Sequence, residues 1–223
     1  MPCSRGESRE TSWFLGFGEA PLRLAERTAR NPALRAGKFL VKPEDALAAY
    51  ARLLRWWAPR VDLVALGDLA RLESRHIADS LKARKIVASA PAGGALDAGS
   101  GAGFPGVPLA IVDPGRSWRL LEPRAKRAAF LDEVVRELDL NAEVVRKTTQ
   151  RAATDPSLAG AHAVVTARAL APPSVAFELV APLVSPGGLR IVWVGSDSEI
   201  PPDAEELEGG LAIIGRRGPK PGP

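Results

Sequence analysis

Residues 96–114 read LDAGSGAGFPGVPLAIVDP and set four glycines, Gly99, Gly101, Gly103 and Gly106, between two apolar runs. Fixing a glycine costs more backbone entropy than fixing any other residue, so this density marks a place where the chain turns tightly or lies close to something. The preceding GALDA has the length and apolar content of a buried strand, and GVPLAIVDP reads as a short helix closed by Pro114. A strand, a glycine turn and a helix leave three explanations open. The turn is simply tight, or it cradles the phosphates of a nucleotide, or it is shaped for another cofactor.

The rest of the chain places this turn in a repeating pattern. SWRLLE, AEVVR, HAVVTAR and LRIVWVG read as further strands. Between them, PRAKRAAFLDEVVRELDL predicts a helix with Phe130, Leu131, Val134 and Leu138 inward, and PPSVAFELVAPLV a helix ended by Pro186-Gly187-Gly188. Strand and helix in alternation imply a doubly wound, mostly parallel sheet of the α/β, Rossmann-like class. Upstream, KPEDALAAYARLLRWWAPR predicts a helix with Pro43 in its first turn, Glu44 and Asp45 at the positive end of its dipole, and Leu47, Tyr50, Leu54 and Trp57 on one face. A second helix is expected over residues 69–88. The organisation expected is therefore a basic tail or loose helix over 1–40, a helical extension over 41–90, a sheet domain over 91–215, and a disordered basic tail over 216–223.

Composition narrows the setting. A single cysteine, Cys3, cannot form an internal disulfide and agrees with a reducing cytoplasm. No apolar run is long enough to cross a bilayer, and the polar N-terminus lacks the apolar core of a secretory signal, so no membrane partner is expected. The net charge of +4 is concentrated at both ends, in Arg5, Arg9, Arg23, Arg27, Arg30, Arg35 and Lys38 and again in Arg216, Arg217 and Lys220. Basic ends suit a polyanion such as RNA. They also follow from a chain that is rich in arginine throughout.

In an open parallel sheet, ligands bind beyond the carboxyl ends of the strands, which is where Asp97 and Gly103 fall. The dinucleotide fingerprint needs a third glycine where this chain has Phe104, and no Lys-Ser/Thr follows for a phosphate loop. That spacing also disfavours a nicotinamide oxidoreductase. What remains is Asp-x-Gly-x-Gly-x-Gly, the loop typical of S-adenosylmethionine-dependent methyltransferases, in which the glycines let backbone pass close to the cofactor. Asp97 then answers the cofactor's ammonium or a loop amide. Glu122 ends the second strand, where an acid can accept both ribose hydroxyls. The alternative for Glu122 is a solvated first-turn residue beside Arg124 and Lys126.

HIADSL, LDAGSGAGFPGVPLAIVDP, LLEPRAKRAAFL and TARALAPP, in this order, resemble the glucose-inhibited division protein B family over residues 46–195. These are bacterial methyltransferases of guanine N7 in small-subunit ribosomal RNA, so the resemblance implies S-adenosylmethionine as cofactor and the RNA or the small subunit as partner. It implies that Gly99, Gly101, Gly103 and Phe104 form the cofactor loop and that Glu122 stands at the ribose acid, usually Asp. It also implies that Thr149 and Gln150 flank the adenine and that Arg168 faces cofactor and substrate. The bland alternative for Arg168 is a strand-end salt bridge, but an arginine inside VVTARALAPP needs a buried partner or a site.

His76, Asp79 and Ser80 match the family's His-x-x-Asp-Ser. His76 and Asp79 then share a helix face, as an interhelical lock or pocket wall, with proton transfer by His76 as the sharper alternative. Guanine N7 already carries an in-plane lone pair and accepts hydrogen bonds, so no general base is assigned. Arg168 is expected to orient the reacting groups, and His162 to be structural. No metal is assigned, and a cytoplasmic monomer is expected.

Three places depart from the family: Asp62-Leu63-Val64 for Asn-Leu-Thr, Trp193-Val194-Gly195-Ser196 where a lysine and glycine end the fifth strand, and one clear closing strand, LAIIG, instead of two. These fall on the substrate side, which leaves open a paralogue that binds the cofactor without methylating RNA.

Overall fold

The computed structural model describes residues 42–195 and 198–215. The expected tails at 1–40 and 216–223 lie outside the described residues. Helix α1 (Pro43–Trp57) starts on Pro43, as its fixed φ and missing N–H favour. It buries Ala49, Tyr50, Leu53, Leu54 and Trp57. The next helical stretch is not the single helix expected over 69–88. It runs as a 3-10 turn (Leu66–Arg71), a π turn (Leu72–Ile77), α2 (Ala78–Leu81) and α3 (Arg84–Ala88). Leu72 and Ile77 are both buried and five residues apart, a spacing that the wider π turn brings to one side. Ser80 reinforces the distortion by donating from Oγ to the His76 carbonyl at 2.7 Å.

Seven strands follow: β1 (Ala95–Ala98), β2 (Trp118–Leu121), β3 (Ala142–Val145), β4 (His162–Ala167), β5 (Val184–Trp193), β6 (Glu205–Leu207) and β7 (Leu211–Ile214). They form one sheet in the order β3-β2-β1-β4-β5-β7-β6. The first five are parallel, and β7 and β6 close the edge antiparallel. The crossovers are α4 (Gly106–Val112), α5 (Ala125–Glu137), α6 (Thr149–Ala153) and α7 (Pro173–Val180). Period-two alternation divides the core. Leu96, Ala98, Val165, Ala167 and Val192 face α6 and α7, whereas Ala95, Val164, Ile191 and Trp193 face α3 and α4. This is the doubly wound sheet read from the sequence.

Two strand assignments differ from the sequence reading. The β5 strand begins at Val184, so Pro186-Gly187-Gly188 lies inside it rather than ending a helix. The register with β4 shifts between His162 and Val164, and a Cβ on Gly188 would sit 2.8 Å from the Ala163 carbonyl oxygen. Glycine there is a condition of close strand approach. The chain also closes with two strands, not one. The short Glu-Glu-Leu of β6 has no apolar alternation, and it is a strand because β7 offers it an edge. His162 is structural, as expected: it is 2 % exposed, with Nδ1 2.9 Å from the Leu183 carbonyl oxygen.

Two contacts tie the helical segment and the sheet to the glycine turn. Tyr50 Oη donates to the Ala102 carbonyl at 2.6 Å in a buried setting. A Cβ on Gly106 would lie 2.7 Å from both Asp97 Cβ and Leu120 Cδ2, so α4 approaches β1 and β2 as closely as backbone permits. Tyr50→Phe strands a buried carbonyl and is expected to lower the unfolding free energy by about 1–3 kcal/mol in urea denaturation. Gly106→Ala overpacks the same corner and should cost about 1–3 kcal/mol as well. A wild-type midpoint for Gly106→Ala would mean that α4 is free to shift off the sheet.

Candidate functional site

The turn after β1 takes its shape from positive φ values at Gly99 (71°), Gly101 (56°) and Gly103 (97°). Side chains at such angles are strained. Ser100 holds the turn to the sheet, donating from N to the Leu121 carbonyl at 2.9 Å and from Oγ to the Asp97 carbonyl at 3.0 Å. Glu122 clasps it from β2. Its Oε2 accepts from Gly101 N at 3.0 Å and its Oε1 from Arg124 N at 2.8 Å. At 3 % exposure Glu122 is not the solvated first-turn residue of the alternative reading.

Asp97 lies beneath the turn rather than in the open. It is fully buried, its Oδ1 accepts from Thr166 Oγ1 at 2.7 Å, and its Oδ2 has no hydrogen-bond partner. Burial pushes its carboxyl up to about 6, against the opposing hydrogen bond from Thr166. Gly103 also faces inward, packed on Tyr50, Val107 and Leu131.

Above the turn opens a cavity of about 270 Å³, walled by Gly99, Gly101, Phe104, Asp68, His76, Arg127 and Arg168 among others. Thr149 and Gln150 begin α6 at the neighbouring strand end, the first 5 % exposed and the second exposed. Neither is among the residues lining the cavity.

Phe104 organises the far wall. The His76 ring stacks on it at 5.2 Å and 26°, Tyr50 meets it edge-on at 5.5 Å, and the Arg168 guanidinium lies 5.8 Å from its centroid. Arg168 follows β4 directly and reaches both members of the His-x-x-Asp pair, with Nη2 3.1 Å from His76 Nδ1 and 3.4 Å from Asp79 Oδ2. The salt-bridge and site readings of Arg168 therefore describe one arrangement. The lock between helix and strand is itself the pocket wall. Because Nδ1 accepts, His76 carries its proton on Nε2, which lies 3.4 Å from Asp68 Oδ2. Burial and the neighbouring Arg168 hold the His76 imidazole below its usual 6.5, so it is neutral at pH 7.

Sequence reasoning missed Asp68, Arg127 and the part played by Asp62. Arg127 lines the cavity and donates from Nη2 to Asp62 Oδ2 at 2.8 Å, across the mouth from α5 to the loop after α1. The only signal was a cation one turn into the helix that follows Glu122. Trp193, in the stretch that ends β5, donates from Nε1 to the Asp79 carbonyl at 3.2 Å and so supports the same lock.

The donor set fits S-adenosylmethionine. A glycine turn offers backbone beside a clasped carboxylate, and the Arg168 Nη1 is buried without a partner, an open donor for an anionic group.

Comparison with known proteins agrees. Residues 44–207 match the family described as rRNA small subunit methyltransferase G. The chain is 41% identical over 165 residues to the Ribosomal RNA small subunit methyltransferase G of Acidiphilium cryptum, covering 71% of this chain and 72% of that protein. It is 37% identical over 151 residues to that of Halorhodospira halophila, covering 68% and 69%. Among solved structures, a cofactor-bound protein from MTB shares the fold at a TM-score of 0.52 and 19% identity, over 83% of this chain and 95% of that one. A mutant of MtNAS in complex with S-adenosylmethionine does so at 0.50 and 16%, over 90% and 84%. By the family match over most of its length and its identity to these relatives, the chain belongs to the rRNA small subunit methyltransferase G family.

Proposed function

We infer that this chain transfers a methyl group from S-adenosylmethionine to N7 of a guanine in small-subunit ribosomal RNA. The observation that carries the reading is the wall of the cavity: Arg168, locked by His76 and Asp79 over Phe104, presents a buried and unpartnered Nη1 beside the glycine turn. When bound, S-adenosylmethionine supplies an electrophilic methyl on a sulfonium. Gly99 and Gly101 lend backbone for its close approach, with Asp97 and Gly103 holding the turn from below. Glu122, with both oxygens already accepting, keeps lone pairs for ribose hydroxyls. Thr149 and Gln150 belong to the adenine side in this reading.

The reaction asks little proton chemistry of the protein. Neutral guanine N7 attacks with its own lone pair, so orientation is the main contribution, and effective-molarity effects supply about 7–11 kcal/mol of such a barrier. Arg168 aligns the reacting groups and His76 aligns Arg168. An RNA substrate places the working protein in the cytoplasm, and we take it to act as a monomer.

Methyl transfer to the small subunit and to naked ribosomal RNA tests this directly, alongside calorimetry with S-adenosylmethionine and NAD. Preferential NAD binding, or cofactor binding without transfer to either RNA, overturns the reading. Arg168→Ala is expected to lower kcat about 100-fold, in the range seen for loss of one preorganised donor, with a far smaller change in thermal midpoint. Proportionate loss of both would refute the orienting role.

His76 accepts from Arg168 only while neutral. Since its imidazole titrates below its usual 6.5, activity should hold at neutral pH and fall as pH drops below that value, two cations then facing each other. In His76→Gln the side-chain oxygen still accepts but does not titrate, so the acid limb of kcat should disappear. An unchanged limb would assign it to another group.

A further inference from the structure

Arg168 is the one residue shared between the linings of the cofactor cavity and of a second cleft, of about 380 Å³. This cleft is lined by Ser74, Arg75, Ala78, Asp79, Lys82 and Arg168. Three cations thus share the lining with one carboxylate, which Lys82 and Arg168 both reach. Lys82 Nζ donates to Asp79 Oδ1 at 2.7 Å and to the Gly209 carbonyl at 2.8 Å, which leaves its third proton for a ligand. Arg75 Nη1 reaches Asp68 Oδ1 at 2.8 Å while its side chain remains 56% exposed. Arg71, Arg84 and Lys85 are also exposed on the same helical stretch. Trp193 holds the Asp79 carbonyl, fixing the turn from which Asp79 and Lys82 project.

We propose that this cleft seats a phosphodiester of the substrate RNA adjoining the target guanosine, with Lys82 and Arg75 as its contacting cations. The proposal rests on the methyl transfer inferred above. An enzyme acting on a base draws that base out of its stack and into the pocket. The phosphodiesters of that nucleotide then lie one sugar away, in whatever space adjoins the cavity. Here that space is the cationic cleft behind Arg168. Apart from Ala78 its lining residues are polar or charged, with no aromatic side chain to stack a second base, and its open, half-solvated cations suit an anion attached to a longer strand.

The test uses the full chain and a labelled small-subunit RNA hairpin, with binding measured as a function of salt and methyl transfer measured separately. Neutralising one phosphate contact is expected to reduce the slope of log K against log salt by about 0.7 for single-stranded RNA. Lys82→Gln should show this drop and weaken RNA binding about tenfold, the scale of one charge-assisted hydrogen bond, with S-adenosylmethionine affinity unchanged. Arg75→Gln should shift the slope in the same direction. Lys82→Arg should restore it, and Arg136→Gln, on the outer face of α5, should leave it alone.

A neutral methylphosphonate beside the target guanosine should weaken wild-type binding as Lys82→Gln does and add nothing to that variant. Unchanged slopes in both Lys82→Gln and Arg75→Gln overturn the proposal. So does a loss of thermal stability without a slope change, which would make Lys82 a tether for the strand β6–β7 turn. Absence of methyl transfer with the binding results intact would count against the reaction and not against the phosphate seat.

Discussion

The close approach of Gly106 to Asp97 sets the position of everything that surrounds the cavity. A buried carboxylate at the end of β1 has room for α4 above it only because residue 106 has no side chain. That contact fixes where the helix begins, and so how the chain between Asp97 and Gly106 must turn. Three left-handed glycines accomplish the turn, Ser100 and Glu122 fasten it to β2, and Tyr50 fastens it to α1. The arrangement leaves Asp97 desolvated, with its carboxyl raised to about 6. A carboxylate in that setting is a structural brace, and the cavity opens above it on the backbone of Gly99 and Gly101.

Arg168 gives the site its second organising centre. A guanidinium among apolar neighbours requires partners, and His76 and Asp79 provide them from a helical stretch far away in sequence. Phe104 supplies the flat surface on which His76 stacks and over which Arg168 lies. The same arginine lines both the cavity above the glycine turn and the cationic cleft, so a single side chain forms the wall between them. Two residues in the stretches read as departing from the family pattern have local partners as well. Asp62 pairs with Arg127 across the cavity mouth, and Trp193 supports the Asp79 turn.

The amino-acid sequence by itself determined the alternating sheet, the glycine turn and its likeness to a methyltransferase loop, because strand alternation, helical spacing and glycine placement are local properties. Glu122 and Arg168 were legible for the same reason: each ends a recognisable strand. Other features depended on partners remote in the chain. The broken helix over 66–88 follows from burying Leu72 and Ile77 together, the early start of β5 from Gly188 passing close to Ala163, and β6 from an edge that only β7 provides. The inward turn of Asp97 and Gly103, the Arg127–Asp62 contact and the cationic cleft likewise arise from three-dimensional packing. Burial and charge proximity are sums over neighbours brought together by the fold, and no local pattern of residues encodes them.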